Sequence, residues 1–292
     1  MKNKIVVLFN LLRVNQWVKN ILVFLPLFFG MQWHRLPDVL IAFIGFSFIA
    51  SSVYIFNDLF DVEEDRLHPQ KKNRPIPAGL ITYGKAVILM GLCFLSGLLM
   101  FFFSYNPFCL VLIAFYVVMN VLYTIKLKHV AIVDIVIISL GFVIRMIIGG
   151  LATEVQLSHW IILMTFLLAL FLAVAKRRDD VVVFMETGKI SRKNIAGYNL
   201  EFVNGSMSFM SGVLIVSYIM YTLSPEVIGR YGNHVYLTSF FVIIGIMRYF
   251  QITFVMKKSG DPTSILWKDI FLQITILAWA GSFIFLMLYK NV

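Results

Sequence analysis

Apolar stretches follow one another along almost the whole chain. Nine of them, each about 17–23 residues long, carry few charges, and clusters of polar residues separate them. A helix of that length crosses the roughly 30 Å hydrocarbon core of a membrane. The pattern therefore predicts about nine transmembrane helices, at residues 20–36, 38–57, 85–103, 107–124, 132–151, 159–175, 206–223, 234–256 and 268–289. A short helix over residues 5–12 is expected to lie at the membrane surface.

The composition excludes most other protein classes. Hydrophobic residues make up 60% of the chain and charged residues only 14%, whereas a soluble domain has about 45–50% and 25%. A water-soluble enzyme is therefore excluded, and two cysteines exclude a disulfide-stapled secreted protein. The net charge of +10 would indicate nucleic acid in a soluble protein. Membrane topology explains it more simply, so we expect no nucleic-acid partner.

The Lys and Arg residues are distributed unevenly across the predicted helices. If nine spans alternate, 20 of the 25 Lys and Arg residues fall in the segments on one side and only three on the other. Cytoplasmic segments carry this excess. We expect an all-α integral protein of the inner (plasma) membrane, one domain over residues 1–292, with the N-terminus and long loops cytoplasmic and a central polar cavity opening to that side. The sequence leaves open whether it forms a homo-oligomer.

An acid-rich stretch follows the second predicted span. Asn57, Asp61 and Asp65 recur every four residues, and Asp58 lies three residues before Asp61. On a helix these side chains share one face, where like charges repel. A hard divalent cation would turn that repulsion into attraction, and carboxylate and amide oxygens are ligands that Mg²⁺ accepts. We therefore predict that this stretch binds a divalent cation such as Mg²⁺.

Basic residues follow this stretch directly: Arg66, His68, Lys71, Lys72 and Arg74. They are suited to the anionic oxygens that a bound cation leaves uncovered. The simpler alternative is a solvated acidic helix end followed by residues that only set the orientation in the membrane.

Three motifs resemble a known family. Asn57-Asp58-x-x-Asp61-x-x-x-Asp65 resembles the first aspartate-rich motif of the UbiA-type polyprenyltransferase superfamily. His68-Pro69-x-Lys71-x-x-Arg74-Pro75-Ile76-x-x-Gly79 and Arg13-x-x-Gln16-Trp17-x-Lys19-Asn20 resemble its branch that attaches phosphoribose to decaprenyl phosphate. The resemblance implies Mg²⁺-dependent transfer of 5-phosphoribose from phosphoribosyl pyrophosphate to a polyprenyl phosphate in contact with membrane lipids, releasing diphosphate. It also implies that Asn57, Asp61 and Asp65 hold the Mg²⁺, and that Asp58, Asp61 and Asp65 are the catalytic carboxylates.

The region after the fourth span favours this branch. Asp134 has no second aspartate four residues later, where Ile138 stands, and Lys126 and Lys128 lie nearby. A phosphoribosyl donor and a lipid phosphate together carry roughly six or seven negative charges, about twice the charge of a prenyl diphosphate with a neutral acceptor. A site with fewer carboxylates and more lysines suits the phosphoribosyl donor and the lipid phosphate. The two lysines could instead only anchor the helix at the membrane surface.

Arg145 is predicted deep within the fifth span, where a charge usually marks a function. It shares a helical face with Asp134, Gly141 and Gly149, although an arginine that only ties helices together remains an alternative. The complete set of candidate substrate contacts is Lys19, Arg66, His68, Lys71, Arg74, Tyr123, Lys126, Lys128, Asp134, Arg145, Lys176 and Arg177.

Two other functions remain open from the sequence. A sibling enzyme would transfer a prenyl group from a prenyl diphosphate to an aromatic or other small acceptor. A transporter or channel would use Arg145 and Arg248 along a midplane ion path. Against a transporter, most ionisable residues gather in the loops on one side, and no inverted repeat is visible.

Overall fold

The computed structural model describes residues 4–67, 70–103, 106–188, 193–256, 265, 266 and 268–288, and the elements assigned in them are all helical. The α-helices are α1 (Lys4–Leu11), α2 (Leu25–Gly30), α3 (Leu36–Phe60), α4 (Val62–Leu67), α5 (Tyr83–Phe103), α6 (Pro107–Ile125), α7 (Val133–Thr153), α8 (His159–Thr187), α9 (Leu200–Thr222), α10 (Pro225–Tyr231), α11 (Ser239–Phe250) and α12 (Ile270–Leu288). The main 3₁₀ segment is Val14–Phe24, and a π-helical turn, Gln251–Val255, extends α11.

Seven of the helical stretches are long and apolar enough to cross a membrane: Trp33–Phe60, Tyr83–Phe102, Pro107–Ile125, Val133–Thr153, His159–Thr187, Leu200–Thr222 and Val235–Val255. They correspond to the second through eighth predicted spans. The chain is a multi-pass membrane protein. The last predicted span is the 19-residue helix α12. The predicted total of nine stays a prediction, because residues 20–36 contain 3₁₀ turns and the six-residue α2 instead of one long α-helix.

Local sequence signals determine where several helices begin and end. Pro37 stands in the first turn of α3, where its missing N–H costs nothing. The side chains of Asn106, Ser158 and Asn199 accept hydrogen bonds from free backbone N–H groups at the starts of α6, α8 and α9. Helix α8 ends at Gly188, which has the positive φ of 67° that glycine tolerates. It therefore continues well beyond residue 175, where the sequence predicted the span to end.

The chain divides into two compact units. The first comprises Met1–Lys128 and Leu140–Leu157, and the second His129–Ser139 and Ser158–Val292. In the first unit, α3 packs closely on α5, where a Cβ on Gly97 would lie 2.7 Å from the Gly45 carbonyl oxygen. In the second unit, α8 and α9 pack around an apolar core that includes Phe171, Val203 and Met207. The predicted single domain and its cytoplasmic cavity stay predictions.

Small residues allow the helices of the first unit to approach one another closely, as is common in membranes. A Cβ on Gly149 of α7 would lie 2.1 Å from the carbonyl oxygen of Val23 in the 3₁₀ segment. Since that neighbour is backbone, it cannot move aside as a flexible side chain would.

We therefore expect Gly149→Ala to destabilise the purified protein by about 1–3 kcal/mol, the usual cost of overpacking. The melting temperature would fall by roughly 2–12 °C. Gly91→Ala is the matched control, because a Cβ on that helical glycine meets nothing within 4 Å. Equal melting temperatures for the two variants would contradict the close approach.

Candidate active site

The acid-rich stretch keeps helical spacing across the junction of α3 and α4. Asp58 lies in the last turn of α3, Asp61 follows α3, and Asp65 belongs to α4. The Asp61 N–H donates to the Asn57 carbonyl at 2.9 Å, and the Asp65 N–H donates to the Asp61 carbonyl at 2.8 Å. These bonds confirm the predicted helical continuation, and they place the three carboxylates on consecutive turns.

Arg74 joins two of these carboxylates. Its Nη1 atom donates to Asp58 Oδ1 at 3.0 Å and to Asp65 Oδ2 at 2.7 Å. Lys71 Nζ lies 3.4 Å from the other oxygen of Asp65. The side chains of Asp58 and Asp65 are only 1% and 2% exposed, whereas Arg74 is 30% exposed. Two buried carboxylates are thus held from the solvent side by basic residues of the adjacent loop.

Two further cations reach the same stretch from distant parts of the first unit. Arg13 forms an ion pair with Asp58, and its guanidinium lies 5.0 Å from the centre of the Tyr54 ring. Its backbone has a φ of 50°, an unfavourable conformation for a residue with a side chain. Lys128 forms an ion pair with Asp61. Each of the three carboxylates therefore has at least one Lys or Arg partner.

The turn after Arg74 fixes that arginine in place. The N–H of Ala78 donates to the Arg74 carbonyl at 2.9 Å, and the N–H of Gly79 donates to the Ile76 carbonyl at 3.0 Å. Ile76 is buried with Leu11 of α1 in a small apolar cluster. Gly79 has a φ of 70°, which explains the glycine at the end of this motif. The Pro75-Ile76-x-x-Gly79 motif therefore anchors the loop that carries Arg74.

A separate polar group lies deeper in the first unit, around Arg145. The Arg145 side chain is buried, and its Nε donates to Asn20 Oδ1 at 2.7 Å. Asn20 in turn donates to Ser47 Oγ of α3 at 2.9 Å. Trp17 Nε1 donates to Ser51 Oγ, one helical turn further along α3, at 3.0 Å. The Trp17–Asn20 part of the N-terminal motif is thus hydrogen-bonded to the middle of α3.

The second unit contains its own buried charged network. Arg177 is 1% exposed and donates from Nε to Asp134 Oδ2 and from Nη1 to Asp180 Oδ2, both at 2.7 Å. Asn194 Nδ2 also donates to Asp134 Oδ2, at 2.8 Å. The hydroxyl of Tyr198 donates to Asp134 Oδ1 at 2.6 Å. Asp134 therefore joins the start of α7 to α8 and to the segment before α9.

Tyr198 also accepts a hydrogen bond at its hydroxyl from the Ile132 N–H at 2.7 Å. Burial raises the pKa of the Tyr198 phenol above its ordinary value, and its hydrogen bond to Asp134 raises it further. The hydroxyl therefore keeps its proton at physiological pH and remains a donor to Asp134.

Comparisons with known proteins assign the family. Residues 21–275 match the UbiA prenyltransferase family. The chain belongs to this family. It is 32% identical to a decaprenyl-phosphate phosphoribosyltransferase from Mycolicibacterium smegmatis, over 96% of this chain and 92% of the relative. It is also 32% identical to the protein of that name from Mycobacterium tuberculosis, over 93% and 91% of the two chains.

A solved structure of the same family shares the fold. A UbiA homolog from Archaeoglobus fulgidus, bound to DMAPP and Mg²⁺, superposes with a TM-score of 0.68 at 16% sequence identity. The match covers 96% of this chain and 99% of that chain. The arrangement of helices in this UbiA-family chain is thus a known one.

The donor set of the acid-rich stretch suits a divalent cation. Asn57 and the three aspartates offer amide and carboxylate oxygens, which hard cations bind. Asp58 Oδ2 is buried and has no hydrogen-bond partner in the part of the chain that the structure describes. Among the same residues, no group of three His, Cys, Asp or Glu side chains converges to hold a metal ion, and Lys and Arg pair with these carboxylates. The donor chemistry fits, provided that these cations release the carboxylates.

The predicted substrate contacts separate into groups. Lys71, Arg74 and Lys128 meet the acid-rich stretch, Arg145 lies in the deeper group, and Asp134 and Arg177 belong to the second unit. Arg66 is exposed and pairs with Glu63 at 2.8 Å, away from the three aspartates. Lys19, Tyr123 and Lys176 are half-buried, and Lys126 is exposed. His68 lies outside the described residues.

Several polar partners were not among the predicted site residues: Arg13, Asn20, Tyr116, Asn194 and Tyr198. Arg13 and Asn20 stand in the N-terminal motif, so that motif could have indicated them. Tyr116, Asn194 and Tyr198 lie outside the motifs and offered no such signal.

We expect Tyr198→Phe to destabilise the purified protein by about 1–3 kcal/mol, because it leaves Asp134 Oδ1 and the Ile132 N–H without their partner. The melting temperature would then fall by roughly 2–12 °C. Tyr236→Phe is the control, since Tyr236 is 46% exposed. An unchanged melting temperature for Tyr198→Phe would show that the network contributes little to stability.

Proposed function

We propose that this chain transfers 5-phosphoribose from phosphoribosyl pyrophosphate to a polyprenyl phosphate and releases diphosphate. Two relatives that carry the corresponding enzyme name align over more than nine-tenths of their own length. The observation that carries the proposal is structural: three carboxylates in the acid-rich stretch are surrounded by Arg13, Lys71, Arg74 and Lys128. A site so rich in cations suits two substrates that both carry phosphate.

Charge decides between the two candidate transferase reactions. Phosphoribosyl pyrophosphate and a lipid phosphate bring roughly six or seven negative charges together. A prenyl diphosphate with a neutral acceptor brings about half as many. Once a divalent cation offsets the three carboxylates, the four basic side chains at the acid-rich stretch would match the larger charge. Arg145 is a further, buried cation of the same unit.

In the proposed reaction, an oxygen of the lipid phosphate attacks C1 of the ribose from the face opposite the diphosphate. The new C1–O bond forms as the bond to diphosphate breaks, and the electron pair leaves with the diphosphate. Lys71, Arg74 and Lys128 stabilise the charge that builds on the leaving oxygens. The lipid phosphate is already anionic and needs no strong general base, so the reaction does not require a catalytic histidine.

Asn57, Asp61 and Asp65, with Asp58 in support, are the residues that would hold Mg²⁺. A bound Mg²⁺ would supply Lewis-acid neutralisation of the leaving diphosphate. The unpartnered Asp58 Oδ2 and the hard oxygen donors support this assignment. The basic residues would then exchange carboxylate partners for phosphate partners.

The proposed orientation places the acid-rich stretch on the cytoplasmic side of the inner membrane. The excess of Lys and Arg in the loops on that side supports it. The water-soluble donor would then arrive from the cytosol, while the polyprenyl phosphate enters from the bilayer.

The direct test uses membranes that contain the overproduced protein. We expect label from phosphoribosyl pyrophosphate to enter the organic phase when Mg²⁺ and polyprenyl phosphate are present, and not when either is omitted. Transfer from a labelled prenyl diphosphate to an aromatic acceptor, with none from phosphoribosyl pyrophosphate, would assign the sibling prenyltransferase reaction instead. No transfer in either assay would reject both enzymes.

The same assay tests the acid-rich stretch. Asp61→Asn removes one charged ligand without changing the shape of the side chain, and we expect Mg²⁺-dependent kcat to fall on the order of 100-fold while the protein stays folded. Asp38→Asn is the matched control, because Asp38 lies in the first turn of α3 and pairs with Arg35. Full activity of Asp61→Asn would remove Asp61 from the proposed metal ligands.

A further inference from the structure

Arg145 differs from the other arginines of the first unit in having no acidic partner. Its side chain is 4% exposed, and it has no ion pair among the residues that the structure describes. The four other arginines of this unit each pair with a carboxylate: Arg13, Arg35, Arg66 and Arg74. Arg145 is therefore a buried cation whose charge the surrounding unit does not neutralise.

The groups around Arg145 orient it but carry no net charge. Nε donates to Asn20 Oδ1 at 2.7 Å, Nη1 to the Gly141 carbonyl at 2.6 Å, and Nη2 to the Tyr116 hydroxyl at 3.4 Å. The rings of Phe46, Tyr116 and Phe142 lie 4.7, 5.4 and 5.5 Å from the guanidinium carbon. Aromatic faces attract a cation but do not cancel its charge. We call these residues the Arg145 cage.

A guanidinium keeps its positive charge in proteins, so burial does not neutralise it. A buried charge without a counter-charge is strongly unfavourable. An arginine kept in such a place is suited to an anion that arrives from outside the protein. A lysine would give only a point charge, whereas the planar fork matches two oxygens of one phosphate.

One edge of the guanidinium is available for exchange. The contact from Nη2 to Tyr116 is the longest of the three, at 3.4 Å, so a phosphate oxygen could replace it and accept a hydrogen bond from the Tyr116 hydroxyl. Gly141 packs closely beside Nη1, so that a Cβ at this position would lie 3.3 Å from that atom. The cage therefore has one donor edge whose weak contact a ligand oxygen can replace.

The cage is separate from the acid-rich stretch. Asn20 binds Ser47, which precedes Asp58 by eleven residues on α3. The diphosphate of the donor belongs with the proposed metal ligands, so the cage is suited to another anionic group of the two substrates.

We propose that the Arg145 cage binds a phosphate monoester. This inference rests on the proposed function, whose two substrates each carry such a group: the 5-phosphate of the donor and the phosphate of the polyprenyl lipid. Both have the same chemistry, a dianion with three equivalent oxygens, and Arg145 is the residue that holds it inside the first unit.

Binding measurements on the purified full-length protein distinguish the two sources. The probes are ribose 5-phosphate, a short-chain polyprenyl phosphate, and inorganic pyrophosphate as a probe that lacks the monoester. We expect Arg145→Gln to weaken binding of one monoester about ten- to hundredfold, the value of charge-assisted hydrogen bonds, and to leave pyrophosphate binding unchanged. The probe that loses affinity identifies which substrate places its phosphate in the cage.

Two further variants separate binding from folding. Arg35→Gln is the control, because it removes an arginine whose carboxylate partners, Asp38 and Glu154, are already present. Gly141→Ala keeps the charge but places a methyl group against Nη1, so it should weaken the same probe less than Arg145→Gln does. If Arg145→Gln fails to fold, Gly141→Ala decides the question.

The proposal is overturned if both monoesters bind Arg145→Gln and Gly141→Ala as tightly as the unmodified protein, or if Arg35→Gln weakens them equally. This outcome is distinguishable from failure of the proposed function. Transfer of phosphoribose without Arg145-dependent binding would support the proposed function and reject the binding site at the Arg145 cage. Arg145-dependent binding of a monoester without transfer of phosphoribose would support the binding site and reject the proposed function.

Discussion

The site in the first unit depends on Arg74, whose Nη1 atom lies between Asp58 and Asp65. These two carboxylates lie two helical turns apart but contact the same atom, so their charges repel each other, and burial makes the repulsion stronger because water no longer screens it. A guanidinium that both carboxylates share turns this repulsion into a net attraction. Without Arg74, Asp58 would keep only Arg13 as a partner and Asp65 only Lys71 within the described part of the chain, so each buried carboxylate would be less well compensated. The hydrogen-bonded turn that ends at Gly79 therefore supports the whole acid-rich stretch.

The sequence predicted the local part of this arrangement and left the distant part open. The spacing of Asn57, Asp61 and Asp65 predicted one helical face, and the backbone hydrogen bonds confirm the helical spacing. Helical periodicity relates residues three or four positions apart and nothing further. The partners Arg13 and Lys128 lie 45 and 67 positions from their carboxylates. Their pairing follows from how the helices pack, which no local pattern encodes.

The limited reach of helical periodicity also explains why the sequence did not predict the buried network of the second unit. Asp134 and Arg177 were predicted as substrate contacts because the family motif and the positive charge were visible in the sequence. In the structure, the Asp134 side chain accepts hydrogen bonds from Arg177, Asn194 and Tyr198. Asn194 lies in a short 3₁₀ turn, Lys193–Gly197, beyond the end of α8, and Tyr198 directly follows that turn. A polar residue in such a segment looks like any loop residue until its partner is known.

The ion pairs between the carboxylates and the basic residues affect how ligands would bind in the first unit. A divalent cation that took Asp61 and Asp65 alone would displace Lys128, Lys71 and Arg74 from their partners. An anionic donor that took only the basic side chains would leave the carboxylates unpaired. Each ligand therefore pairs with the charges that the other would leave unpaired. Linkage requires that the two ligands strengthen each other's binding equally. The internal ion pairs thus favour joint entry of cation and donor over entry of either one alone.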